Sequence, residues 1–155
     1  MKNNVSAYIK AVSYLAQMAR TEFEIRKYLK KKSYSDAEIL EALQALKDEG
    51  IVDDESYTKE FIEFSIKNRL LGPNALRVRL ARRGVSSEII SRCLARQYPE
   101  SRVKKVAVAS GKKKLFDVAG IPRQKQMQTV GRYLISRGFP EGVVWETLGT
   151  LGLSD

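Results

Sequence analysis

No histidine occurs anywhere in the 155 residues. That removes the side chain most used as a general base at neutral pH and the commonest ligand of transition metals. Cysteine is nearly absent too: Cys93 stands alone, so no internal disulfide can form and a structural zinc site lacks its ligands. No apolar run approaches the roughly 20 residues a membrane-spanning helix needs, so no membrane association is expected. Residues 1–5 carry no apolar signal core, and these absences together predict a cytoplasmic protein. Strand-like alternation of apolar and polar residues is missing. Asp53, Asp54 and Glu55 form the one tight carboxylate cluster, but it lacks the loop spacing and the glycine of a calcium site. With no paired nucleophile and base, and no phosphate-cradling glycine loop, no active-site constellation is found. No catalytic residue, metal or cofactor is therefore expected.

What the chain has in excess is positive charge. The net charge is +10, from 28 Lys and Arg against 18 Asp and Glu, with a pI near 9.8. The excess grows toward the C-terminus. A field of this sign favours polyanions: nucleic acid, an acidic protein or an acidic membrane surface. Apolar residues make up 43% of the chain, enough for a packed protein.

The second feature present is a repeat. Ile25, Leu29, Tyr34, Ile39 and Leu43 recur as Leu76, Leu80, Val85, Ile90 and Leu94, and again as Val130, Leu134, Phe139, Val144 and Leu148. The offsets are 51 and then 54 residues. A fixed period marks stacked supersecondary units. Units of this size have too little core to stand alone, so neighbours must share buried surface. The expected fold is all-α: three tandem three-helix repeats, over 1–50, 51–99 and 100–155, in an elongated, curved array. Arrays present long surfaces and suit long partners.

Local signals place the helices. Ala7, Ala11, Leu15 and Met18 put an amphipathic helix over 5–18. Thr21 with Glu24, and Ser35 with Glu38, read as capping boxes that open the next two, the second ending at Gly50. Asp53 or Asp54 caps a helix over 54–69. Gly72 and Pro73 start another, Gly84 ends it and Ser86 opens the next. A helix over 101–114 is weakened or interrupted by Gly111, residues 115–122 form a longer connection, and helices follow at about 123–137 and 140–150.

On the second helix of the second repeat, Leu76 and Leu80 face the core. Arg79, Arg82 and Arg83 gather on a separate sector, and Arg77 flanks the core. The equivalent sector holds Tyr28, Lys31 and Lys32 in the first repeat and Tyr133, Ser136 and Arg137 in the third. The third repeat adds Arg102, Lys104, Lys105, Lys112, Lys113 and Lys114 upstream. These form a discontinuous basic track suited to phosphate or acidic protein surface: Lys31, Lys32, Arg77, Arg79, Arg82, Arg83, Lys104, Lys105, Lys112, Lys113 and Lys114. The plainer alternative is a solvated helix face whose last-turn cations suit the helix dipole.

Other motifs favour structure over chemistry. Arg92 and Arg96 are set to be exposed on a recognition-type helix. Its counterpart in the first repeat carries Asp36, Glu38, Glu41, Asp48 and Glu49 outside, which would repel a duplex. Tyr57, Phe61 and Phe64, spaced by four and three, are expected in the core rather than stacked on bases. Trp145 is expected as a core or inter-repeat anchor, Cys93 as a small core residue, and the cluster at 53–55 as helix capping.

Three motifs in order resemble the RecX family, regulators of the RecA recombinase. They are Gly50, Ile51, Val52, Asp53, Asp54, Glu55, Ser56 and Tyr57; then Gly72 and Pro73 followed by Leu76, Leu80, Arg83 and Gly84; then Tyr133, Leu134, Ile135, Ser136, Arg137, Gly138 and Phe139. They cover the chain from about residue 8 to 150. The resemblance implies three tandem three-helix repeats and no enzymatic activity. It implies a monomer bound along the groove of the RecA–DNA filament, restraining ATP hydrolysis and strand exchange in DNA repair, recombination and the SOS response. Some members also contact DNA directly, so sequence-independent binding to single- or double-stranded DNA is expected. Gly131 and Ser136 depart from the pattern by thinning the basic stripe of the third repeat. The alternative is a helix-turn-helix protein acting on naked DNA.

Overall fold

The computed structural model describes residues 5–154. The described residues form nine α-helices and no strand: α1 (Ala7–Leu15), α2 (Glu22–Lys31), α3 (Asp36–Asp48), α4 (Asp54–Arg69), α5 (Pro73–Arg82), α6 (Ser87–Gln97), α7 (Glu100–Asp117), α8 (Arg123–Ser136) and α9 (Glu141–Thr150). In chain order they make three tandem three-helix units, and the extensive helix–helix packing runs within each unit. All fifteen repeated apolar positions are buried.

Side-chain caps fix most helix starts. Ser6, Thr21, Ser35, Asp53 and Ser86 each accept a first-turn amide. Ser35 and Glu38 complete the reciprocal box. At α2 the box is half made, because the Glu24 carboxylate turns to Arg20 and Arg83 instead of the Thr21 amide. Two helix boundaries differ from expectation. α1 stops at Leu15, its end tightened by a bond from Gln17 N–H to the Tyr14 carbonyl at 3.3 Å. Met18 is left 58% exposed in the connection to α2. In the third unit, α7 runs unbroken through Gly111 to Asp117. Glycine there serves close packing: a Cβ would lie 2.8 Å from Leu151 Cδ1 and 3.3 Å from Thr147 Cγ2.

The core is in two parts. One cluster, around Ile25, Leu29, Ile39, Leu43 and Leu46, fills the first unit and takes in Val52 just beyond it. The other runs from Ile62 to Leu153 through the second and third units without a break. Neighbouring units also meet through their middle helices, placed head to tail. Gly72 and Asn74 N–H, at the start of α5, donate to the carbonyls of Arg137 (2.8 Å) and Gly138 (3.0 Å), at the end of α8. Likewise the Thr21 hydroxyl, at the start of α2, donates to the carbonyl of Arg83, the cap of α5, at 2.6 Å. Each helix end thus satisfies backbone groups of the next, with dipoles aligned positive end to negative end. At the first junction Asp54 Oδ1 also accepts the Glu22 amide at 2.9 Å, and Asp54 sits above the usual carboxylate range because it is half-buried.

Arg102 ties α7 back onto the second unit. Its guanidinium donates to both Glu63 carboxylate oxygens, at 2.7 and 3.0 Å, and to the Gln97 carbonyl at 2.8 Å. The bonds from Arg102 pull the Glu63 carboxyl from an ordinary 4.5 down to about 2. A depressed carboxylate stabilises the fold above its unfolded pKa, and that contribution is lost as pH falls toward the folded one. Arg102→Met is therefore expected to cost about 1 kcal/mol at neutral pH, discounted for partial exposure. It should also flatten the stability loss between pH 4.5 and about 2. Urea melts at stepped pH read both effects; an acid limb identical to the parent's would show that the pair contributes nothing.

Candidate functional site

α5 sends Leu76 and Leu80 into the core, which turns Arg79, Arg82 and the capping Arg83 toward the first unit. On α4, Ile62 and Ile66 take the buried stripe. Tyr57, Phe61, Phe64 and Arg69 are thereby rotated onto the same side. Between them and the α1–α2 connection lies an open cleft of about 830 Å³, lined by Met18, Ala19, Tyr57, Glu60, Phe61, Phe64, Ser65, Arg69, Arg79, Arg82 and Arg83. The lining holds four guanidinium groups and one carboxylate, Glu60.

These arginines crowd one another. Burial, then the charges of Arg69, Arg137, Arg82 and Arg83, push the Arg79 pKa down. Neither Arg79 nor Arg82 has a carboxylate partner among the described residues. Arg83 is partly offset by Glu24, 3.7 Å away, and lies 5.3 Å from the centre of the Phe61 ring. Arg69 sits 5.9 Å from the Phe64 ring, and its carbonyl accepts from the Arg137 guanidinium. Arg137 in turn lies 5.9 Å from the Tyr133 ring, and Lys114 Nζ is 5.2 Å from that same ring. A cationic path therefore leaves the cleft, crosses the second junction and reaches the third unit.

The other members of the sequence-derived track are dispersed. Lys31 and Lys32 sit at the end of α2, with Lys32 Nζ 5.7 Å from the Tyr28 ring, which stacks on Tyr14 at 3.9 Å. Arg77 donates to the Ser91 hydroxyl at 3.3 Å. Lys104 is held by Glu100 and Glu146, both at 3.1 Å, and their bonds raise its pKa. Lys105, Lys112 and Lys113 are exposed on α7. Of the cluster members, Arg69 is not singled out from sequence, and Arg137 lies on the equivalent sector of the third repeat but is left out of the track. The spacing of Phe61, Phe64, Ser65 and Arg69, one helical face, was the available signal for Arg69.

Several structural expectations need correction. Phe64 is 55% exposed at the cleft rim instead of in the core, while Tyr57 and Phe61 pack against the core and also line the cleft. Trp145 is 56% exposed. Val143, Val144, Thr147 and Leu148 fill the buried face of α9, so the indole is left beside a shallow apolar groove with Met127, Gly131 and Ile135. Arg92 and Arg96 are exposed as expected, and Arg92 is paired with Glu55 at 3.1 Å. The acidic cluster divides among separate tasks: Asp53 caps α4, Asp54 latches the first unit, and Glu55 pairs with Arg92 and Lys59. Cys93 is buried as expected, with its thiol pushed up by desolvation. Among the described residues, no group of three or more Cys, Asp or Glu is placed to hold a metal. No helix among them is long and apolar enough to cross a membrane.

Comparison with known proteins bears on this arrangement. Residues 7–46 match the family model for the first three-helix domain of RecX, and residues 53–94 match that for the second. The chain is 30% identical over 138 residues to the regulatory protein RecX of Oceanobacillus iheyensis, covering 89% of this chain and 50% of that protein. It is 30% identical over 151 residues to the regulatory protein RecX of Geobacillus kaustophilus, covering 94% and 54%. It therefore spans about half the length of the curated relatives it matches. Its fold resembles a crystal structure of RecX from Lactobacillus salivarius, with a TM-score of 0.85 at 19% identity over 96% of both chains. A second crystal structure, of a regulatory protein RecX, gives 0.80 at 25% identity over 92% of this chain and 70% of that one. The chain belongs to the RecX family of regulatory proteins.

Proposed function

We propose that this chain restrains the RecA recombinase by lying along the groove of the RecA–DNA filament, with its basic track as the contact surface. The observation that carries the proposal is the arginine cluster. Arg79 and Arg82 are held among like charges without an acidic partner among the described residues, an arrangement that costs folding energy and is kept where charge meets a partner. Arg79, Arg82 and Arg83 are the centre of the surface. Lys31, Lys32 and Arg77 extend it on the first and second units, and Lys104, Lys105, Lys112, Lys113 and Lys114 on the third. Of these, Lys104 is the least available, because it already holds two carboxylates.

The fold suits a polymeric target. Linked units that touch successive recombinase subunits make their second and third contacts at high effective concentration, so individually weak contacts add up. A monomer seated in the groove would block the partner duplex, or the subunit motions that accompany ATP turnover, without catalysing anything and without a cofactor. DNA contact in this scheme is to phosphates of either single or double strands, sequence-independent and made within the filament. The helix-turn-helix alternative on naked DNA has less support, since Arg92 of α6 is tied to Glu55.

The test is RecA ATPase on single-stranded DNA with the chain titrated in. Inhibition is expected at amounts stoichiometric with recombinase, weakening steeply as salt rises. Full ATPase activity at stoichiometric levels in low salt would reject the proposal.

A further inference from the structure

We infer that the cleft between the first and second units is a receptor for an acidic peptide segment carrying one bulky apolar side chain. The inference rests on the filament proposal only for whose segment it is; the chemistry of the cleft stands alone.

The cleft joins two kinds of wall. One is cationic, with Arg79 and Arg82 lacking any carboxylate partner among the described residues. The other is apolar: Met18, on the connection from the first unit, and Phe64, on α4 of the second, both line the cleft and both are more than half exposed. Apolar surface left open beside uncompensated guanidinium groups is complementary to a ligand that brings an apolar anchor and carboxylates together. The volume, about 830 Å³, lies within the roughly 300–1,000 Å³ usual for sites that engulf a ligand. It accommodates an anchor side chain with its flanking peptide.

Nucleic acid fits less well, for two reasons. Base stacking needs free aromatic faces. The Phe61 ring is already engaged by Tyr57, at 6.2 Å, and by the Arg83 guanidinium, at 5.3 Å, which leaves Phe64 as a single open ring where a strand of bases needs successive ones. The second reason is Glu60: its carboxylate repels any anion placed against it, and a peptide can set a backbone N–H donor there, where a phosphodiester chain has none.

The probe is a fluorescein-labelled synthetic peptide with a single Phe flanked on both sides by Asp and Glu, titrated with the chain and read by anisotropy. Saturable binding is expected. It should weaken at least about tenfold when the peptide's Phe is replaced by Ala, and likewise in the protein variants Arg79→Gln and Met18→Asp. Both protein positions are at least partly exposed, so helical circular dichroism should be unchanged. Lys125→Gln, outside the cleft, should bind as the parent does. Failure of the peptide to bind would overturn the inference. So would displacement of the peptide by oligothymidine whose own binding is lost in Arg79→Gln, since the cleft would then be a nucleic-acid groove. ATPase inhibition that persists while the peptide fails to bind would remove the receptor and leave the filament proposal standing. Peptide binding without inhibition would retain the receptor and remove the filament proposal.

Discussion

Gly138→Ala is expected to destabilise the chain by about 3 kcal/mol or more, well beyond the cost of a lost glycine in an ordinary turn. Gly138 closes α8 at φ +93°, a conformation that charges an alanine about 1–2 kcal/mol. The larger part comes from the neighbouring unit. A Cβ at this position would lie 2.3 Å from the Ala75 nitrogen and 2.5 Å from the Ala75 Cβ. Both are fixed atoms at the start of α5, so relief requires the helix ends to part. Parting them breaks the bonds from Gly72 and Asn74 to the end of α8. It also opens the core that the second and third units share. Gly142→Ala is the matched control. A Cβ there meets nothing within 4 Å, and the change should raise stability by about 0.5 kcal/mol. Urea melts of the two variants give the comparison. A cost for Gly138→Ala no larger than the backbone penalty would show that the helix-end junction carries little load.

The two junctions reach the same head-to-tail geometry by different chemistry. The second uses backbone amides at Gly72 and Asn74 and a continuous apolar core. The first uses a threonine hydroxyl, the Asp54 carboxylate and the packing of Phe23 on Gly84, where a Cβ would come within 2.2 Å of Phe23 Cβ and Cγ. With separate cores on its two sides, the first junction is the more polar one. The cleft opens there.

The residues that repeat show how far the sequence alone reaches. Each apolar position in the three copies, from Ile25 to Leu148, is buried, because burial within a three-helix unit depends on spacing along the chain and little else. The caps at Ser35, Asp53 and Ser86 were equally legible, since a cap is a contact over a few residues. Legibility ended where one unit meets another. Gly111 looks like a helix breaker until the approach of Thr147 and Leu151 is known. Phe64 and Trp145 look like core until other residues are seen to have filled the buried faces of α4 and α9. Arg69 and Arg137 belong to helices far apart in sequence, and only the second junction sets them around Arg79. The candidate site was therefore half visible: the stripe on α5 could be drawn from periodicity, but not the groups that surround it.

If the chain restrains RecA as proposed, the double variant Arg79→Glu with Arg82→Glu is expected to weaken that inhibition by about a hundredfold or more, while leaving stability unchanged or raised by about 0.5 kcal/mol. The opposite signs follow from the crowding. In the parent, Arg79 is half-buried and faces Arg69, Arg137, Arg82 and Arg83, so its charge works against the fold. A carboxylate at the same place gains the remaining guanidinium groups, Arg69, Arg137 and Arg83, as partners. A partner that reads the cluster through its positive charge loses attraction and meets repulsion in the same step. Arg83 is left intact because its side chain pairs with Glu24 and its carbonyl receives the Thr21 hydroxyl; changing it would confound contact with folding. Urea melts and RecA ATPase titrations on one preparation supply both readouts. Undiminished inhibition would move the contact off this face. A large stability loss would mean that the arginines support the fold after all, and the case for a surface reserved for a partner would go with it. If inhibition falls while stability holds, the charge on α5 is there for a partner and not for the fold.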